Sequence, residues 1–466
     1  MRRAIPFLLV VCAGCTVGPD YKKPDMPVPA QFRAAAPSTA TDLSQWWQQF
    51  GDAELQSLIE RALKSNIDLQ TAASRVREAR TQEIVAGAAG LPQVNANGIA
   101  AHLHSNGDPI AGLTGQPPTG GGTDIKLYSA GFDASWEIDV FGGVRRGVEQ
   151  AKANTEAALW QQRDGEVTLT AEVATDYLTL RTVQARIAIL QDEAKREHDT
   201  LSLVVARAKA GFVTQLDVNQ QNAQLQNTVA QIPPLEAQSR ADEHAIAILL
   251  AEPPDALAGE LETAAPPPAT PPMLPTGLPS DLLLRRPDVR EAERKLAAAT
   301  AGIGVATADL YPKFNLLAGI SFTSNQLSNL FSAGNLGEFG LGQVTAPIFE
   351  GGKIHANIHA KEEETQQARL AYRAGVLGAL RDAEDALVRE DSERRRQDAL
   401  AASARSARSS ASIALDQYRA GLVTYVNVLQ AQTTDLTAQD QLAQSRLALS
   451  TDLISIYKAL GGGWQP

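Results

Sequence analysis

The sequence predicts a mixed α and β membrane protein built from an internal duplication, with long helical hairpins and four short strands per chain that close into a barrel only by oligomerisation. Three observations predict it. The 466-residue chain repeats one set of motifs in one order. Its long proline-free tracts carry apolar residues at a 3.5-residue period. Other segments alternate apolar and polar residues, while beyond the N-terminus no run of eighteen apolar residues exists to cross a bilayer as a helix.

The N-terminus is an address. Arg2 and Arg3 precede the apolar run Ile5 to Val11, and the small residues Ala13 and Gly14 lead to Cys15. That is the pattern of a secretory signal, residues 1–14. A cysteine after a small pair resembles the lipobox of bacterial lipoproteins, although Cys12 stands where that box usually has leucine, so Cys15 is the expected lipidation site. Thr16, not Asp, follows it, which in that pattern implies export to the outer membrane. Cys12 and Cys15 are the only cysteines, so the mature chain has no disulfide and no second thiolate. Residues 15–40 read as a lipidated, extended segment. Trp46, Trp47, Phe50, Leu55, Leu58 and Ile59 open the first repeat, residues 41–252.

The repeat is legible in matched motifs. Leu91-Pro92-Gln93-Val94-Asn95 returns as Tyr311-Pro312-Lys313-Phe314-Asn315. Val140-Phe141-Gly142-Gly143 returns as Ile348-Phe349-Glu350-Gly351-Gly352, and the Gly-x-Val-Thr at Gly211 returns at Gly421. Pro92 lies 220 residues before Pro312, but Gly211 lies 210 before Gly421. About ten residues are therefore lost before the Gly-Gly pair and none after it. Length is held where a long element must match its twin and free where a loop hangs in solvent.

Strands come first in each copy. Phe132, Ala134, Trp136, Ile138 and Val140 alternate with Asp133, Ser135, Glu137 and Asp139, and Phe314 to Phe322 carry a similar stripe. Val94 to His102 and Glu338 to Ile348 are weaker candidates. Each is about ten residues, enough to span a bilayer at a tilt. Four strands cannot close a barrel, and an open edge cannot sit in lipid, so strands must combine in multiples of four. A dimer gives eight and a trimer twelve, and dense helical walls favour the wider tube.

The helical tracts start near Gly147 and Lys353. Val167, Ala171, Ala174 and Leu178 return in spacing as Val376, Leu380, Ala383 and Leu387. From Gly147 to Gly211 the run would make about 95 Å of helix at roughly 1.5 Å per residue. Gly211 and Gly421 interrupt the tracts, with Thr214 and Thr424 placed to cap a returning helix, so each tract reads as a hairpin with its tip there. Residues 253–280 hold nine prolines and read as an extended linker before the second repeat, residues 281–466.

Composition excludes some functions. The formal net charge is −11 and the pI near 5.2, so a cationic nucleic-acid footprint is absent. His355 and His359 are one helical turn apart with Glu362 and Glu363 behind, but no His-Glu-x-x-His accompanies them, and a solvated helix face explains them better than a metal. Gly120-Gly121-Gly122 lacks the Lys-Ser/Thr of a phosphate loop. Asp382, Glu384 and Asp385 sit in a mixed-charge helix. No catalytic site, cofactor or metal is expected.

Taken in order, Cys15 to Pro24, the Trp46-Trp47 segment, Ser135 to Gly142, Leu284-Arg285-Arg286-Pro287-Asp288-Val289-Arg290, Pro347 to Gly352 and the two glycine tips resemble the outer-membrane factor family. Their branch is similar to the lipoprotein ducts that serve resistance-nodulation-division pumps. The resemblance implies a homotrimer with a twelve-stranded transmembrane β-barrel continuous with a long periplasmic α-helical barrel, anchored in outer-membrane lipid. It implies that the tips at Gly211, Thr214, Asp217, Gly421, Thr424 and Asn427 meet a periplasmic adaptor, which in turn serves an inner-membrane pump. It also maps the pore constriction to Val426 and Gln430, where many relatives carry a carboxylate in place of Gln430. The function expected is passive export of small solutes. The alternatives are the duct of a type I secretion system and a lipid-anchored periplasmic coiled-coil scaffold, which would need the helices but not the strands.

Overall fold

The computed structural model describes residues 16–30, 43–105, 123–272 and 285–464. The signal segment, Cys15, Gly120-Gly121-Gly122, Leu284 and part of the proline-rich linker lie outside them. In chain order the elements are α1 (Ala53–Ser65), α2 (Ile67–Ala88), β1 (Gln93–Ser105), β2 (Thr123–Ile138), α3 (Gly143–Lys209), α4 (Gln215–Ala230) and α5 (Ile232–Leu249). There follow α6 (Ala258–Leu261), α7 (Pro287–Ala308), β3 (Lys313–Ser324), β4 (Leu336–Thr345), α8 (Lys353–Arg419) and α9 (Tyr425–Ala459).

The duplication is visible in lengths. Helices α2 and α7 have 22 residues each, and α3 and α8 have 67 each. The return arms, α4 with α5 and α9 alone, begin and end at the same 210-residue offset. All ten residues by which the copies differ fall between the start of the first strand and the start of the long helix, where β2 has 16 residues and its counterpart β4 has 10.

One difference from expectation lies in the return arm of the first copy, which breaks again at Gln231. Pro233 and Pro234 lack amide hydrogens and cannot continue the ladder begun in α4, so a new helix starts at Ile232. The matching positions in α9 are Ala443 and Gln444, and α9 runs unbroken for 35 residues. The strand stripe also ends earlier than Val140. Strand β2 stops at Ile138, the Val140 amide turns back to the Ile138 carbonyl at 2.8 Å, and Phe141 stacks on Tyr311 with ring centres 4.6 Å apart. Strand β4 likewise ends at Thr345, short of Ile348.

The chain divides into two compact units, each drawing on both repeats. One gathers the described residues within Met1–Pro24, Arg77–Glu156 and Glu293–Ala371. It holds the sheet, in the antiparallel order β1-β2-β3-β4, so that β1 and β4 are its edges.

The other unit comprises Asp25–Val76, Ala157–Ala292 and Tyr372–Pro466. Its core centres on Trp46, which stacks on Tyr457 at 5.2 Å and meets Trp47 edge-on, with Leu55, Leu58, Ile59, Tyr177, Ile246 and Leu453 around it. Local capping fixes the entry helices. Asp52 accepts from the Leu55 amide at 2.9 Å, and Asn66 both ends α1 and caps α2 by accepting from the Asp68 and Leu69 amides; each cap contributes about 1 kcal/mol. The proline-rich segment does not begin as extended chain. Pro254 to Leu261 form two short helical turns that bury Leu257 and Leu261 in this core.

Ala251 follows α5 in the left-handed region, φ 59°, with the Glu252 amide closing the helix end onto the Ala247 carbonyl at 2.9 Å. An L side chain is strained there and glycine is not. Ala251→Gly is expected to raise stability by about 0.5–1 kcal/mol; thermal melts followed by circular dichroism should show a higher midpoint, and an unchanged or lower one would disprove the strain.

Candidate functional site

The two glycine tips are built alike. Gly211 and Gly421 take φ of 80° and 78°. At the first, the Gly211 amide bonds the Ala208 carbonyl and the Phe212 amide reaches back to Arg207; at the second, Gly421 bonds Tyr418 and Leu422 reaches Gln417. This is the double closure that a left-handed residue makes at a helix end, and it satisfies the last carbonyls of α3 and α8. The residue after each glycine is apolar and unburied, Phe212 at 76% and Leu422 at 75% exposure. In such an ending that residue usually packs back on its own helix, so both tips present an apolar group outward.

The chain then turns into the return arm. At the first tip the Asp217 carboxylate accepts from the Thr214 amide at 2.9 Å. At the second, Asn427 replaces that acid and accepts instead from the Thr424 hydroxyl at 2.9 Å. The predicted tip residues are thus brought together by the fold. Sequence reasoning missed what joins one tip to the other. Val204, Tyr418, Tyr425 and Val428 form a small buried cluster, with the tyrosine rings 6.1 Å apart and the Arg207 guanidinium 4.7 Å over the Tyr418 ring while it bonds the Tyr418 carbonyl. Burial pushes both phenols up, so both stay neutral. The signal was available as divergence between the copies: Ala208 and Gln215 stand where the second copy has Tyr418 and Tyr425.

Val426 and Gln430 sit one turn apart on α9, both exposed, whereas Tyr425, Val428 and Gln432 of the same helix are buried. They therefore share a stripe that nothing among the described residues covers.

In the sheet, pairing of Phe132 with Ile320 and of Trp136 with Leu316 puts the apolar stripes of β2 and β3 on one face, where Glu338 of β4 interrupts them. The opposite face carries Asp133, whose two carboxylate oxygens accept from Asn97 at 2.6 Å and Asn95 at 3.2 Å. Strand β2 extends back to Thr123, further than its clean alternation suggests. Trp136, whose indole nitrogen donates to the Gly90 carbonyl at 2.9 Å, and Ile138 consequently lie at the strand end, and Phe132 lies nearer its middle.

Residues 16–23 are strapped to the same unit. The buried Arg146 donates to the carbonyls of Val17 and Gly18 and to Asp20 at 2.7 Å, while Glu149 accepts from it at 2.7 Å. Gly18 crosses α7 so closely that a Cβ on it would stand 2.4 Å from the Gly304 Cα, so only glycine fits there. Tyr21 lies on Ala153, Ala297 and Ala298 and donates to Glu293 at 3.2 Å. Cys15, just ahead of this strap, lies outside the described residues. His359 pairs with Glu362 at 2.9 Å in the open, and among the described residues no three His, Cys, Asp or Glu side chains are grouped to hold a metal.

An open sheet with one largely apolar face, joined in sequence to long helical hairpins with bare tips, defines the subunit of an oligomeric membrane channel. The chain belongs to the outer membrane efflux protein family, matched over residues 58–252 and 278–462. It is 34% identical over 462 residues to the pyoverdine export outer membrane protein OpmQ of Pseudomonas aeruginosa, covering 98% of this chain and 95% of that one. It is 31% identical over 476 residues to the cation efflux system protein CusC of Escherichia coli, covering 99% of each. Among solved structures, the outer-membrane channel OprN matches with a TM-score of 0.91 and 33% identity over 97% of this chain and all of that one. The chain is an outer-membrane channel of a tripartite efflux system, reaching into the periplasm. Such channels are transport proteins that act as homotrimers with an adaptor and an inner-membrane pump.

Three copies of the four-stranded sheet then close the barrel, and the largely apolar Phe132 face is the one expected to meet lipid. Arginine at Phe132 is expected to cost about 2–4 kcal/mol of insertion and arginine at Gln343, on the opposite face, much less. Heat-modifiable trimer on gels reads this out; equal trimer yields from Phe132→Arg and Gln343→Arg would reverse the face assignment.

Proposed function

We propose that this chain is the passive exit duct for small solutes, tethered through a lipid on Cys15, docked to its adaptor by the two glycine tips and constricted at Val426 and Gln430. The observation that carries the reading is the uncovered stripe of α9 beside uncovered apolar tips. In a closed ring of hairpins, an exposed helical stripe has three fates, the outer wall, the seam with the next copy or the axis. Val426 and Gln430 begin the return arm directly behind the tip, where side chains from three copies can meet. Relatives named for pyoverdine export, cation efflux and solvent efflux support a small-solute cargo over a secreted protein.

Phe212 and Leu422 give the adaptor an apolar footing, and Thr214, Asp217, Thr424 and Asn427 hold the turns that aim them. At the constriction a ring of Val426 narrows the path and sheds water, while Gln430 adds no charge. In this reading energy comes from the pump, and the duct itself is passive, as its place in a family of efflux channels supports. The strap around Arg146 begins one residue after Cys15, which supports a tether close to the body of the unit.

Two measurements test this. Val426→Ala combined with Gln430→Asp trims the apolar ring and brings three like charges together at low local dielectric, so single-channel conductance in planar bilayers and vancomycin sensitivity of cells should both rise; values equal to the parent's remove these residues as the constriction. Cys15→Ser should abolish palmitate labelling while trimers still assemble, and normal labelling would end the lipid assignment.

A further inference from the structure

Close to the tips, α3 and α9 bury carboxylates that the duct does not need for packing. Glu193, Glu197 and Asp435 are 1%, 0% and 3% exposed. One side of Glu193 is held by Arg196, with Nε at 3.0 Å, and Glu197 accepts from Gln224 at 2.9 Å. Among the described residues, no group donates to Glu193 Oε1, Asp435 Oδ1 or Gln432 Oε1. Glu193, Gln432 and Asp435 line one cavity of about 310 Å³ between α3, α8 and α9.

The residues that hold these three acceptors line that cavity, and the acceptor atoms themselves are sealed from water. Two of them are carboxylates, and ionising both in a shared buried space is costly. The charged groups around them are Arg196 and Asp199 of α3, with Asp192 and Glu197 close by, and Arg408 and Arg419 of α8. Tyr425 of α9 approaches Glu197, and its hydroxyl bonds Gln221 of α4, an element that contributes amides and no charge here. Arg408 and Arg419 are each 58% exposed, so water screens them, whereas the carboxylates are sealed. Among the described residues, Arg196 is the cation paired with Glu193, and it is shared with Asp192 while also attracting Asp435.

We propose that Glu193 of α3 is a proton-binding site that fastens α9: protonated, it meets the buried Asp435 of α9 without repulsion and the seam is closed, and ionised, it repels Asp435 and loosens α9. Burial raises the Glu193 carboxyl above its usual range, against the pull of Arg196 and with help from Glu197 and Asp435, and burial likewise raises Glu197. For an acid whose folded pKa is raised, the stabilisation is complete below the unfolded value, about 4.3 for glutamate, and is lost as pH rises through the folded value. The seam is therefore tightest in acid. Because α9 carries Val426 and Gln430, neither of them titratable, this would make the duct open more readily as the periplasm becomes less acidic. That consequence rests on the constriction proposed above, and the proton site does not.

The test uses the full-length trimer. Its thermal midpoint is measured from about pH 5 to about pH 8, alongside open probability in planar bilayers, for the parent, Glu193→Gln and Asp435→Asn. The parent midpoint should fall as pH rises. Both amide variants, one replacing the titrating acid and the other removing the charge that repels it, should lose much of that fall and outlast the parent at the alkaline end. The idea is overturned if the variants keep the parental slope, or if Glu193→Gln fails to assemble, since a neutral mimic should hold the seam. Should Asp435→Asn alone not assemble, Glu193→Gln decides. A slope lost in the variants while the parent's open probability ignores pH would uphold the proton site and count against the constriction.

Discussion

A sheet edge left in hydrocarbon strands a row of amides and carbonyls without partners, at several kcal/mol for each group. The whole design depends on that constraint. Strands β1 and β4 are such edges, and among the described residues no element of the same chain covers them. Only another copy can, with β4 of one chain offered to β1 of the next, so the channel exists as an assembly or not at all. The second demand follows from the first. If copies are related by rotation, and each copy is itself two repeats, the hairpins around the ring must match in length. That is why α3 and α8 have 67 residues each, and why the copies drift in length only where the strands and their connections lie.

Much of this was legible because it is written in periods and offsets, which survive where individual residues do not. The strands announced themselves by alternation, the hairpins by a 3.5-residue repeat closed at Gly211 and Gly421, and the oligomer by the number of strands. What stayed hidden depends on contacts distant in sequence. Arg146 reads as an ordinary helix residue until the fold brings Val17, Gly18 and Asp20 to it, and Tyr418 reads as a helix aromatic until Arg207 lies over its ring. The ends of strands were misread for a simpler reason. Lys126 and Tyr128 blur the alternation of β2 near its start, and Val140 continues the pattern after the backbone has turned away.

The buried carboxylates were hidden for a third reason. In a sequence, Glu193 and Glu197 belong to a long mixed-charge helix and resemble a solvated face. Only packing shows that this face is covered, by α4 at Glu197 and by α9 at Glu193. Burial of an acid beside a single shared arginine does little for stability, because desolvation offsets most of the attraction. A packed apolar seam would hold the helices at least as firmly, but it could not change with pH.

The two hairpins are similar in path and different in how they are secured, and that difference bears on which of them can move. The first return arm is fixed locally: the Asp217 carboxylate ties the Thr214 amide, and the Pro233 break divides the arm into two shorter helices. The second has no such tie. Asn427 engages the Thr424 hydroxyl instead, and α9 runs straight for 35 residues. Its beginning is held by side chains reaching across to the first hairpin: Tyr425 to Gln221, Tyr418 beneath Arg207, and Gln432 to Thr200 at 3.3 Å. Local caps persist when neighbours shift, whereas cross-links between hairpins do not. A helix held at one end by neutral phenols, amides and a few titratable acids can therefore part from its neighbour without unfolding, and it is the helix that carries Val426 and Gln430.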